Sequence, residues 1–287
     1  MCTRLILSAA LLAIASSAAS AQSKPPAAKP TSEKVQAVQP SLTGDLIKDG
    51  LANLEAKKYE AALQSFNEAY NAGQADGAFY LGRMVELGVG IEADPEKARL
   101  LYLAAADKGS AKALNRVGLM SFRGDGMLQD YQAAREMVCK GADQGDADAE
   151  FNCAGLLAQG QGGAKDLTKA MTYYGKAADR GHIGAMNALG FAYRDGATGT
   201  KDLEKARTYF DKAAAKGNPV GLYEVATMYE AGNPVSKDLM KAHLYYNLAS
   251  ARQHPQAGEA LQRISAVLAP EEIEKAQAQA RAWKAAD

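Results

Sequence analysis

The chain has 287 residues, with 33 basic and 33 acidic side chains and hence no formal net charge. That balance provides no global field to draw it onto nucleic acid or an anionic membrane, so both classes of partner are disfavoured. Its abundant alanine and glycine, with 13 tyrosines, suit short helices packed in pairs.

Residues 1–21 read as a secretory signal peptide. Arg4 supplies a basic start, Leu5–Ile14 an apolar stretch, and Ala19-Ser20-Ala21 a small-residue cleavage site before Gln22. The apolar run is too short and too interrupted by serine for a membrane anchor, so no stable membrane insertion is expected after cleavage. Residues 22–42 (QSKPPAAKPTSEKVQAVQPSL) are rich in proline and small polar residues and form a linker without apolar periodicity. Residues 43–57 place Leu46, Ile47, Leu51 and Leu54 near one face, as a helix that packs over the start of the array would.

From residue 58 to 268 the sequence repeats with a period of 36. Stepping from Ala170 reaches Ala62, Ala98, Ala134, Ala206 and Ala242, and stepping from Tyr174 reaches Phe66, Tyr102, Val138, Phe210 and Tyr246. Gly73, Gly109, Gly145, Gly181 and Gly217 keep the same interval, which Gln253 breaks; so do Asp94, Asp130, Asp166, Asp202 and Asp238. Each aspartate precedes a helical run whose first amides it can cap. Each glycine closes the first helix of a pair, in the left-handed conformation that a Cβ penalises. Six helix pairs follow, an all-α solenoid of antiparallel hairpins. Residues 269–287 begin with Pro270-Glu271-Glu272 and form a C-terminal capping helix, with Trp283 as its buried anchor.

The cleanest copy, Lys165–Gly196, runs KDLTKAMTYYGKAADRGHIGAMNALGFAYRDG. With the copies in phase with it, this resembles the Sel1-like repeat family, relatives of tetratricopeptide repeats. The resemblance implies an α-solenoid used for protein–protein contact, and leaves the partner open.

Cys139 and Cys153 lie one turn beyond Ala142 and Ala149, which flank the Gly145-Asp146 turn, on the same faces of the two helices of the third hairpin. In an oxidising compartment they can form a disulfide. Alternatively, Cys153 is a small core residue and Cys139 a free thiol. In cysteine-rich members of the family the bridged positions correspond to Ala142 and Ala149, so this chain departs from that branch. His182, His243 and His254 have no second ligand at metal-binding spacing. No serine elbow or paired catalytic carboxylate stands out either. No metal, cofactor or enzymatic activity is expected.

A partner surface is expected on the first helix of each pair, taken as the concave wall. There Tyr173, Tyr209 and Tyr245 make an aromatic stripe beside a basic one of Arg99, Arg135 and Arg207. They can grip a peptide, or the tyrosines can pack between repeats while the arginines pair with neighbouring acids. The reading is an exported, periplasmic or secreted scaffold or regulatory adaptor for a protein partner. An enzyme acting on β-lactam or cell-wall-type substrates, by analogy with the cysteine-rich relatives, is the alternative.

Overall fold

The computed structural model describes residues 45–197 and 199–286; the signal-peptide and linker readings lie outside them. Fourteen helices and no strand occur among the described residues. Helix α1 is Leu46–Glu55, and six pairs follow: α2 Tyr59–Asn71 with α3 Ala75–Leu87, and α4 Pro95–Asp107 with α5 Ala111–Arg123. Next come α6 Tyr131–Asp143 with α7 Ala147–Gln159, and α8 Leu167–Asp179 with α9 Ile183–Asp195. The last pairs are α10 Leu203–Ala215 with α11 Pro219–Ala231, and α12 Leu239–Ala251 with α13 Ala257–Ser265, after which α14 spans Pro270–Ala282. From α1 to α13 each helix packs on the next in chain order, as in a one-dimensional stack.

Thirteen residues is short for a helix in water, so the termini are secured. Asp94, Asp130, Asp166, Asp202 and Asp238 each cap a first helix, their carboxylates accepting from amides two or three residues on. The second helices start on a different set: Ser110, Asp146, His182 and Asn218 each accept an amide N–H. Gly73, Gly109, Gly145, Gly181 and Gly217 all have φ between 73° and 89°. Gln253, which breaks that glycine series, keeps the conformation at φ 63°, so the turn geometry outlasts the residue that favours it.

The core is the seam between successive hairpins. Phe66, Tyr102, Val138, Phe210 and Tyr246 are at most 1% exposed, and the alanines of the 62–242 series are equally buried. The small residue opposite each ring makes this possible. A Cβ on Gly190 would lie 2.5 Å from Phe210 Cε1, and one on Gly118 would lie 2.6 Å from Val138 Cγ2.

One member of the ring series departs from the rest, and one expectation needs correction. Tyr174 is only half-buried, whereas its neighbour Tyr173 is 4% exposed. Trp283 is likewise half-buried: its ring lies 4.7 Å from the Arg252 guanidinium carbon, at the edge of the cluster around Phe210, Leu248 and Ala249. Helix α14 packs along α12, and the Ala286 amide donates to the Ala215 carbonyl at 2.7 Å, so the C-terminal segment reaches back to the end of α10.

Candidate partner-binding surfaces

The first and second helices form two rows with different spacing. Helix α5 approaches both α3 and α7 to within 8 Å between Cα atoms. Side chains then tie the second helices together along the array. Arg116 pairs with Glu86, and Asn152 Nδ2 donates to Asn115 Oδ1 at 3.0 Å. Arg194 Nη1 meets Glu224 at 2.9 Å, and Arg263 meets Glu230 at 2.8 Å. In a curved stack the inner side is where successive elements stand closest. The second helices are therefore the inner row, which corrects the expectation that the first helices line the concave wall.

That correction relocates the residues singled out from sequence. Tyr209 of α10 stacks on Tyr193 of α9 with ring centroids 5.8 Å apart, and Tyr245 of α12 on Tyr229 of α11 at 5.9 Å. Both tyrosines thus join one hairpin to the previous one. Tyr173 donates its hydroxyl to Asp143 Oδ1 at 2.5 Å, bridging α8 to the end of α6. Burial, followed by that bond to Asp143, pushes its hydroxyl up to about 12.

The arginines are similarly engaged. Arg99 pairs with Glu96 at 2.6 Å. Arg135 donates to the Ala164 carbonyl at 2.9 Å, in the loop after its own hairpin. Arg207 pairs with Asp211 at 3.3 Å and lies over the Tyr229 ring. The basic series ends at His243, which is 1% exposed and whose Nδ1 has no hydrogen-bond partner; burial lowers its pKa. These side chains lie on the outer row.

The inner row carries an open cleft of about 340 Å³ across α3, α5 and α7. Phe79, Tyr80 and Leu119 supply its apolar lining, Arg83, Lys112 and Arg116 three cations, and Asp146 and Asp148 two carboxylates. Glu86 serves both Arg83 and Arg116, and Arg116 Nε has no hydrogen-bond partner. Burial, with Arg83 and Arg123 nearby, lowers the Arg116 pKa. Lys112 is held above its ordinary value: burial works to lower it, but Asp146, Tyr80 and Asp76 outweigh that. Such a cleft can seat an apolar side chain and hold acidic or amide groups at its rim. Sequence reasoning missed these residues because Arg83, Lys112 and Arg116 belong to three different positions of the repeat and make no periodic stripe.

Cys139 on α6 and Cys153 on α7 are joined in a disulfide with a Cα–Cα distance of 5.0 Å. Cys153 is also a core residue at 0% exposed. Among the described residues, no three His, Cys, Asp or Glu side chains gather as a metal site. No described helix is long and apolar enough to cross a membrane.

A stack of helical hairpins with an inner row of variable side chains defines a class of protein-interaction scaffolds. The Sel1 repeat pattern matches five consecutive 36-residue segments, 75–110, 111–146, 147–182, 183–218 and 219–254, and the chain belongs to the Sel1 repeat family. Each family unit starts on an inner helix and ends after the following outer one, half a unit out of step with the hairpins above. A Sel1 repeat protein from Oxalobacter formigenes has a similar structure, with a TM-score of 0.69 at 26% identity over 85% of this chain and 99% of that one. A protective antigen present in uropathogenic Escherichia coli strains, displaying an SLR fold, matches with a TM-score of 0.65 at 25% identity over 83% of this chain. The present chain spans about half that antigen's length, 53%. No curated protein matches the chain.

Proposed function

We propose that this protein is an exported scaffold or regulatory adaptor that holds a partner protein on its inner row and carries out no chemistry of its own. The observation that carries the reading is the cleft across α3, α5 and α7. It is open, it is lined by the aromatic rings of Phe79 and Tyr80, and it lies on the face that a helical solenoid offers to partners. Export to the periplasm or beyond is supported by the signal-peptide character of residues 1–21 and by a disulfide, a bond that persists in oxidising compartments.

Site-specific photocrosslinking in the native cell tests the surface. A crosslinker at Leu119 should yield a discrete partner adduct identifiable by mass spectrometry, and one at Arg99 should not. Recovery of the same partner from Arg99 alone overturns the placement and restores the outer stripe. Mass analysis of the exported chain should find it beginning at Gln22. The absence of catalysis is checked with nitrocefin: turnover that purifies with the protein and disappears in a point variant would make it an enzyme.

A further inference from the structure

Hairpin three departs from the repeat at several buried positions at once. Glu150, in the first turn of α7, is 1% exposed, yet the equivalent positions hold Ala78, Leu114, Met186 and Leu222. Its partner is Arg180, a side chain that is itself 54% exposed: Arg180 Nε donates to Oε1 at 3.4 Å, while Oε2, 3.3 Å from the same nitrogen, accepts no hydrogen bond. A buried carboxylate with so little compensation weakens the unit that contains it. Val138 adds to this, filling with a smaller side chain the place that is aromatic in the other five hairpins. The disulfide between Cys139 and Cys153 occurs in this same hairpin and spans its two helices.

The position of that hairpin in the array matters. Each solenoid unit touches only its neighbours, so a weak unit in the middle can open without unfolding the ends. Two hairpins precede hairpin three and three follow it. Its second helix, α7, is also a wall of the cleft, tied to α5 through Lys112–Asp146 at 3.4 Å and Asn152–Asn115 at 3.0 Å.

We propose that the Cys139–Cys153 disulfide is an oxidation-dependent lock on hairpin three, so that the inner row is continuous through α5, α7 and α9 only in the oxidised chain. Closing the lock takes two electrons and two protons from the two thiols. They pass by thiol–disulfide exchange to a disulfide oxidant, which leaves as two thiols. The closed loop, with its cysteines 14 residues apart, removes enough freedom from the opened state to change its population by roughly a hundredfold. The lock concerns the fold alone and stands whatever the inner row binds.

Hydrogen exchange read by mass spectrometry tests it on the purified chain, oxidised and after reduction with dithiothreitol, which is itself oxidised to its cyclic disulfide. Reduction should speed amide exchange in α6, α7 and the start of α8 by roughly a hundredfold, with α2–α4 and α10–α12 little changed. A Cys139→Ser/Cys153→Ala variant should behave as the reduced chain does. Adding Glu150→Leu, which gives α7 the residue that α5 and α11 carry, should restore most of the protection without the disulfide. Unchanged exchange in α6 and α7, equal acceleration in every helix, or no recovery with Glu150→Leu would each overturn the proposal.

Discussion

Tyr246 of α12 donates its hydroxyl to Glu230 Oε2 of α11 at 2.6 Å, and Tyr102 of α4 does the same to Glu86 of α3 at 2.7 Å. In each pair the two residues are 16 apart, and the pairs are related by four repeats. Of the six aromatic-series positions, three are tyrosine; for the third, Tyr174, the residue 16 positions earlier is Ala158, where the others have glutamate. Tyr102 and Tyr246 are at most 1% exposed and Tyr174 is half-buried. The acceptor thus decides whether the hydroxyl can be taken inside.

Tyr246→Phe should therefore cost about 1.5 kcal/mol, the lower end for a hydrogen bond to a charged acceptor. Tyr174→Phe should change stability by less than about 0.5 kcal/mol. Urea denaturation gives the comparison, with Trp283 as the single tryptophan reporting the C-terminal hairpins. Equal losses in the two variants would show that the acceptor is not what separates them.

Glu230 gives this end of the molecule a pH dependence. Burial works to raise its carboxyl, but bonds from Arg263 and Tyr246 outweigh it and hold the carboxyl below its ordinary value. A carboxylate depressed in the fold stabilises it above the unfolded value of about 4.3, and that contribution is lost as pH falls through the lower folded value. Stability of the C-terminal hairpins should drop on acidification below about 4.3. Glu230→Gln should be less stable at neutral pH and show a flatter acid limb.

Much of the fold is legible in the sequence, because capping aspartates and turn glycines act within a few residues, and the small residues of the seam recur in phase with them. The identity of the inner row is not. A 36-residue period says which residues are equivalent, but it does not say which helix of a pair faces inward. That depends on how closely successive helices approach, a property of the seam as a whole. The same limit applies to Tyr173 and Tyr174, adjacent in sequence and both suited to packing. Which of them enters the core is decided by Asp143 and Ala158, residues 30 and 16 positions earlier.

Two glycines on helices should respond oppositely to alanine. A Cβ on Gly221 would lie 2.6 Å from the Ala214 amide nitrogen and 2.8 Å from the Phe210 carbonyl oxygen, both of them backbone, so α11 must shift. Gly221→Ala should cost about 1–3 kcal/mol. Gly175, within α8, would meet nothing within 4 Å and has no positive φ. Gly175→Ala should stabilise by about 0.5–1 kcal/mol by removing backbone freedom from the unfolded chain. Thermal melts of the two variants provide the check, and a loss for Gly175→Ala would contradict the free space at that position.

His182 caps the start of α9 and separately packs against α7. Its Nδ1 accepts the Ala185 amide at 3.1 Å, capping the helix, and its ring stacks on Phe151 of α7 with centroids 4.4 Å apart. The equivalent cap one repeat later is Asn218, whose side-chain oxygen accepts from Gly221 at 2.9 Å and which has no ring to stack. His182→Asn should keep the cap and lose the stacking, about 0.5–1.5 kcal/mol, together with the exposed Nε2–Asp148 contact at 3.4 Å. His182→Ala loses both, adding about 1 kcal/mol for the missing cap. Amide exchange in the first turn of α9 separates the two effects: protection should survive in the asparagine variant and fall in the alanine one. If both variants lose that protection equally, the ring and not the cap holds the turn.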